Sequence, residues 1–341
     1  MQICVNGIAY ERNVEHCSPT KYAKDVTVSA ILPANNSDNL VVLRFNELGW
    51  QAVSTKENNH YIGETLFFIP VDSVLPLELS EKLGVTKYLS HGKVKLAKFR
   101  GNRSEGLIVN KEVVAPFIDS IMKWEDPPSI AMSGEMLPSK DIPFEFEKFY
   151  KMPNLLNEPT TFDVGEHVVI SEKIHGTNCR FGILPHPETG VPTFYIGSHE
   201  TVQKNDCSSV YATTLRRACE HVSLPEGFVF FGEIFGKGIQ HLDYEQVTPT
   251  LRVFAIINKG RYLTPFETSK MCEEIGLDCV RFTPVIFESV SQMRELSDSP
   301  SEITDKHHRE GIVIRSVCDG RKMAKVIGTE YLSETKRTER H

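Results

Sequence analysis

The stretch that decides the reading is Lys173-Ile174-His175-Gly176-Thr177-Asn178. It follows the apolar run 167–171 almost directly, and that run predicts a strand over 167–172. A lysine at a strand end, ahead of a glycine turn, stands where backbone can approach a ligand closely. Taken alone, the hexapeptide reads equally well as an exposed lysine before an ordinary turn.

Working outward, residues 161–341 mix strands and helices. Strands are expected at 180–184, 193–196, 229–234, 252–257, 311–315 and 323–327. Helices are expected at 210–221, 266–275 and 291–296, with apolar residues at three- and four-residue spacings. The first 115 residues read instead as short strands broken by turns: 26–33, 40–45, 66–71, 94–99 and 106–109. Asn35-Asn36-Ser37-Asp38-Asn39 is a turn signal between the first two. Several short strands with little helical periodicity suggest an OB-like β-barrel, a fold that often binds oligonucleotides. A short helix is expected at 118–124. Pro127, Pro128, Pro138, Pro143, Pro153 and Pro159 then mark a connecting segment.

The chain has 341 residues, enough for two ordinary domains. Lys plus Arg number 38 and Asp plus Glu 45, a net charge of −7, which argues against coating nucleic acid by bulk charge but permits a local basic groove. No run of 18 apolar residues occurs, so no membrane span is expected. The N-terminal MQICVNGIAYERN has neither a basic n-region nor a long apolar stretch, so no secretory signal is expected and the compartment is cytoplasmic or nuclear. None of the 8 cysteines forms a Cys-x-x-Cys pair, so reduced thiols are expected rather than structural zinc.

Four further segments follow the hexapeptide in order: Phe230-Phe231-Gly232-Glu233, Val253-Phe254-Ala255-Ile256, Glu310-Gly311-Ile312-Val313-Ile314-Arg315, and Lys322-Met323-Ala324-Lys325-Val326. This ordered set resembles the covalent nucleotidyltransferases, the polynucleotide ligases and RNA capping enzymes. His175 stands where DNA ligases and capping enzymes usually carry Asp, as in RNA ligases. In capping enzymes and many DNA ligases the OB domain follows the catalytic one. Here little more than a dozen residues follow the last motif, so the chain resembles the ATP-dependent RNA ligase branch with an N-terminal OB domain.

The resemblance implies an α+β architecture. An OB-like nucleic-acid-binding barrel (1–115) and a linker segment (116–160) precede a nucleotidyltransferase (ATP-grasp-like ligase) domain of antiparallel sheets with flanking helices (161–341). It implies ATP and Mg2+ or Mn2+ as cofactors, and as partner an RNA or RNA-containing duplex with 5′-phosphate and 3′-OH ends. It also implies joining of those ends through enzyme-lysyl-AMP and adenylated-RNA intermediates, with nicks whose 3′-OH strand is RNA as the expected substrate. The alternatives are an ATP-dependent DNA ligase, a GTP-using capping nucleotidyltransferase, or an RNA-binding module with an inactive ligase domain. A monomer is the default.

Lys173 is the implied nucleophile. A free lysine titrates near ~10.4, so only about one molecule in 2500 is neutral at pH 7. Nearby cations and partial burial are expected to help it lose its proton. Lys325, and with it Lys322, would bring positive charge to the phosphates. Glu233 and Glu310 would arrange the metal's hydration shell and the ribose. Phe254 would stack on adenine, with Glu172, Ile174 and Asn178 lining the nucleotide. Two departures stand out. Lys322 and Lys325 are three apart, where the family has Lys-x-Lys on one strand face. His199 stands where the family usually has Arg, with Arg180 as a possible substitute. Glu105-Gly106-Leu107-Ile108-Val109 imitates the Glu310 motif but has no motif partner nearby and reads as a barrel strand. Between 87 and 103 lie Lys87, His91, Lys93, Lys95, Lys98, Arg100 and Arg103 with no acidic residue. Lys93 and Lys95 alternate along the strand expected there, which predicts a basic face for phosphates, carried by Lys93, Lys95, Lys98, Arg100 and Arg103.

Overall fold

The computed structural model describes residues 2–5, 8–11, 17–90, 92–124 and 135–334. Pro127, Pro128 and His91 lie outside the described residues. The chain divides into two compact units, one of residues 1–127, 155–159 and 332–341, the other of 128–154 and 160–331.

The first unit is built on β1 (Lys24–Pro33), β2 (Leu40–Phe45), β3 (Gln51–Thr55), β4 (Thr65–Pro70) and β5 (Gly106–Val109), hydrogen-bonded antiparallel in the order β5-β4-β1-β2-β3. β1 serves both neighbours because it bends at a bulge between Val28 and Ala30. Residues 24–27 pair with β4 and the rest with β2. The two edges then approach each other. The Glu105 N–H donates to the Gln51 carbonyl (2.9 Å), and the Gln51 N–H donates to the Glu105 carboxylate (3.0 Å). The sheet is therefore nearly closed, and in the Glu310 look-alike at 105–109 the carboxylate of Glu105, just before β5, ties the seam. Leu155–Pro159 packs in this unit, the Trp50 indole donating to Asn157 Oδ1 at 2.5 Å.

Three expectations fail here. Residues 118–124 are not a helix: a 3-10 turn at Ala115–Ser120 gives way to the strand Met122–Trp124, which pairs with Cys17–Pro19 and Ser73–Val74. Pro116 in the turn's first positions and the pull of two strand partners override helical spacing. The strand expected at 94–99 is regular only over Ala97–Phe99, because Val94 exchanges backbone bonds with Asp72 and Ser73 instead. Lys93 is therefore not on an exposed basic face. It is 5 % exposed, paired with Asp72 at 3.3 Å, and lies over the Trp124 ring. Lys95, Lys98 and Arg100 are exposed and Arg103 is half-buried.

The second unit carries two antiparallel sheets. One is formed by β6 (His167–Lys173), β13 (Thr283–Ile286), β14 (Gly311–Ser316) and β15 (Met323–Ile327), in the order β13-β6-β14-β15. The other is formed by β7 (Thr177–Pro185), β8 (Pro192–Ser198), β9 (Val202–Gln203), β10 (Phe228–Phe235), β11 (Thr250–Asn258) and β12 (Arg261–Tyr262), in the order β9-β8-β7-β10-β11-β12. Helices at Val210–Cys219 and Pro265–Ile275 cover one face of the larger sheet, where Phe181, Phe230, Leu215 and Cys272 are fully buried. The second helix starts on a complete capping box of Thr264 and Glu267. The other face packs Phe231, Tyr195 and Ala255 against Phe146 and Phe149 of the proline-rich segment. The seven cysteines whose side chains are described are free thiols. No described helix is long and apolar enough to cross a membrane.

One irregularity shapes the site. Between β10 and β11 the register slips: Phe231 faces Ala255 and Gly232 faces Val253, so Phe254 is the extra residue of a bulge. Arg315, 2 % exposed, takes up the Phe254 carbonyl (2.5 Å) together with those of Leu263 (3.1 Å) and Gly320 (3.3 Å). A lysine presents one compact ammonium and cannot span three carbonyls as a planar fork does. Arg315→Lys is therefore expected to lose about 2–4 kcal/mol of stability. Urea unfolding measures this, and an unchanged midpoint would contradict it.

Candidate active site

The Lys173 hexapeptide is the point where the chain leaves one sheet and enters the other. Lys173 closes β6, residues 174–176 make the crossing, and Thr177 opens β7. Gly176 sits so close to β10 that a Cβ would lie 2.4 Å from the Ile234 carbonyl oxygen and 2.9 Å from Glu233 Cγ. Only glycine permits this approach, and it lets the Gly176 N–H donate to the Glu233 carboxylate.

Lys173 Nζ donates to Glu310 Oε1 at 2.6 Å, with side-chain exposures of 17 % and 2 %. Glu310 immediately precedes β14. Its carbonyl accepts from the Gly328 N–H at 2.8 Å. Glu233, on β10, interacts electrostatically with both Lys173 and Glu310. Burial pushes its carboxyl up to about 8, against the opposing pull of Lys173. Asn178 is opposite Glu233 in the ladder, on the same face, and among the described residues its buried Oδ1 has no hydrogen-bond partner.

Register places the last motif. Lys325 is opposite Val313, which is opposite Ser171, so all three share a face with Lys173 two residues on. Lys322 does not reach Lys173. It pairs with Glu166 at 2.6 Å and covers the Phe162 ring, at the far end of the same sheet. The odd spacing of 322 and 325 is the physical reason. Ile174 and Phe254 contribute to one apolar cluster with Phe235 and Tyr244, and Phe254 meets Phe149 edge-on at 5.1 Å. Glu172 turns away from Lys173. Its carboxylate accepts from the Ser301 hydroxyl (2.9 Å) and the Glu302 N–H (2.6 Å), bracing the loop that delivers Glu310. Arg180 is 3 % exposed, its guanidinium 4.9 Å from the Phe146 ring. His199 is 41 % exposed in its side chain and lies 3.5 Å from Glu200.

Sequence reading missed the surroundings of His175. Its backbone N–H donates to the Tyr244 hydroxyl (2.7 Å), ring Nε2 meets His241 Nδ1 (2.8 Å), and ring Nδ1 lies 3.1 Å from the Tyr331 hydroxyl and 3.5 Å from Glu310 Oε2. Tyr244, His241 and Tyr331 stand 66 to 156 residues away and carry no local signal. Among the described residues no three His, Cys, Asp or Glu side chains gather into a metal cage. The Glu233–Glu310 pair suits a hard cation that takes one or two carboxylates and completes its shell with phosphates and water.

The RNA ligase family model matches residues 166–327, the span that holds all five motifs. This span is an RNA ligase domain. The chain thereby carries an enzyme domain of the class that forms phosphodiester bonds. A comparison with curated proteins gives no match. Among solved structures, an RNA ligase of Naegleria gruberi with pyrophosphate superposes with a TM-score of 0.74 at 19 % identity, covering 93 % of this chain and 99 % of that one. A variant of that ligase with AMP and manganese gives the same figures. At that identity the likeness establishes the fold of this chain.

The raised Glu233 carboxyl has a signed consequence. Between about 4.5 and about 8 the folded ligase keeps a proton there that the unfolded chain releases, so this group's contribution to stability is lost as pH rises through that window. With metal chelated, the melting temperature of the wild type is expected to fall relative to that of Glu233→Gln between about pH 5 and about pH 8. Parallel curves would contradict the burial of the carboxyl.

Proposed function

We propose that the chain is an ATP-dependent RNA ligase acting through a lysyl-AMP intermediate. The observation that carries the reading is the convergence of Glu310, Glu233 and, by register, Lys325 on the Lys173 amine at the junction of two sheets. Nζ of Lys173 attacks the α-phosphorus of ATP, a P–N bond forms, and pyrophosphate leaves. The AMP passes to a 5′-phosphate and regenerates the amine. A 3′-hydroxyl then attacks the adenylated end, forms the phosphodiester and displaces AMP.

Each residue has a physical task. A carboxylate beside an ammonium favours the charged amine, so the nucleophilic form of Lys173 requires Glu310 to be neutralised as the triphosphate arrives. A divalent cation bound with ATP would supply that charge and screen the phosphate oxygens. Glu310 and Glu233 are the residues placed to hold it, and the Naegleria ligase seen with ATP and manganese supports this use. Lys325 would stabilise charge building on the phosphates. Phe254, carried out of register by its bulge, would stack on adenine, with Ile174 beneath and the Asn178 amide oxygen as an acceptor. Glu172 would face the nucleotide through its backbone. Arg180, two residues beyond Asn178 on the same strand face, is better placed than His199 to fill the family's arginine role.

The first unit is read as an OB-type module that holds RNA, with Lys95, Lys98, Arg100 and Arg103 on its surface. The substrate is read as a nicked duplex whose 3′-OH strand is RNA. Incubation with α-labelled ATP and magnesium or manganese is expected to label the protein, and Lys173→Ala to abolish labelling. Persistent labelling of that variant would refute the assignment. In a series of nicks with RNA or DNA 3′ strands, sealing is expected to be fastest with RNA. Equal rates on both would refute the substrate reading alone.

A further inference from the structure

Residues 97–104 form a two-stranded hairpin outside the five-stranded sheet, with Phe99 opposite Asn102 and Lys98 opposite Arg103. Arg100 and Gly101 make its turn, both with left-handed backbone (φ 50 and 88), the pattern of a two-residue hairpin loop. The base is bolted down. Asn102 is 6 % exposed, its Oδ1 accepts from the Asn35 N–H (2.7 Å), and its Nδ2 donates to the carbonyls of Asn35 (2.7 Å) and Phe99 (3.1 Å). The tip is dressed differently. Phe99 is 47 % exposed, and Lys98 and Arg100 on either side of it are exposed. Among the described residues neither Lys98 nor Arg100 forms an ion pair, and residues 87–103 contain no acid.

A ring held out at a tip and cations on both sides of it are costly arrangements for a chain by itself. They complement a polymer that alternates flat apolar faces with negative charges, which is a nucleic-acid strand. An acidic peptide would satisfy the cations but offers no regular series of rings. We propose that the 97–104 hairpin is a finger for single-stranded RNA. Phe99 stacks on an unpaired base, while Lys98 and Arg103 on one face and Arg100 at the turn contact the flanking phosphates. The inference rests on the RNA ligase reading only for the identity of the strand.

The test uses the full chain and a fluorescent single-stranded RNA oligonucleotide, with binding followed across a salt series. Phe99→Leu keeps apolar bulk without an aromatic face and is expected to weaken binding about tenfold while leaving the slope of log affinity against log salt unchanged. Phe99→Trp is expected to restore affinity, and its added fluorescence to be quenched on saturation. Lys98→Ala and Arg100→Ala are each expected to flatten the slope by about 0.7. Binding by Phe99→Leu equal to wild type, an unquenched tryptophan, or displacement of the RNA by a polyglutamate peptide at matched charge concentration would each overturn the finger. Labelling of the wild type from α-labelled ATP, run alongside, separates the two failures. Label without ring-dependent binding removes the finger alone, whereas ring-dependent binding without label removes the lysyl-AMP reading and keeps the finger.

Discussion

The ion pair of Lys173 and Glu310 is the constraint around which the second unit is arranged. Taking two charges out of water costs several kcal/mol, and a buried pair often stabilises no better than well-packed apolar residues. Glu233 adds a further carboxyl beside the same amine, one whose desolvation favours its protonated form. The surrounding structure is accordingly heavily braced. Gly176 lets the crossing press against β10, Glu172 anchors the loop before Glu310, and Tyr244, His241 and Tyr331 hold His175 from three sides. An arrangement that is poor for stability and over-determined in position is what acid–base and nucleophilic chemistry demands.

The second dependence is the bulge at Phe254. A regular ladder would commit the Phe254 carbonyl to a neighbouring strand and turn its ring by strict alternation. The extra residue frees both, and the buried guanidinium of Arg315 accepts responsibility for the carbonyl. Arg315 belongs to the same strand that Glu310 leads into, so the element presenting the carboxylate also maintains the ring's position. One β-strand thus couples the metal-facing and base-facing sides of the proposed nucleotide site.

Much of this was legible in the sequence. Lys173, Glu233, Phe254, Glu310 and Lys325 could be singled out because their motifs are local, each a few residues at a strand end or along a strand. Strands with β-branched runs, such as 40–45 and 323–327, fell where the pattern placed them. The losses share a cause. Residues 118–124 have helical spacing but are claimed by two strands from elsewhere in the chain, and Lys93 sits in a basic run but is claimed by Asp72 and Trp124. Lys322 fell to strand parity, a rule the sequence did contain. His241 and Tyr331 could not be found at all, because their meaning exists only once the chain brings them to His175. The motif at 105–109, read as a barrel strand, resembles the Glu310 motif for a physical reason: Gly106, like Gly311, faces neighbouring backbone with no room for a Cβ, so packing alone favours a Glu-Gly-strand sequence in both units.

The central claim is that the Lys173 side-chain nitrogen becomes covalently bonded to a nucleotide. Peptide mapping by mass spectrometry, after incubation of the intact chain with ATP and a divalent cation, tests it most directly. The account predicts a single adenylylated peptide containing Lys173, its bond cleaved by acid and stable to base as a phosphoramidate is. A nucleotide mapped to Lys325, Lys322 or any other side chain, or an adduct with the acid stability of a phosphate ester, would contradict it.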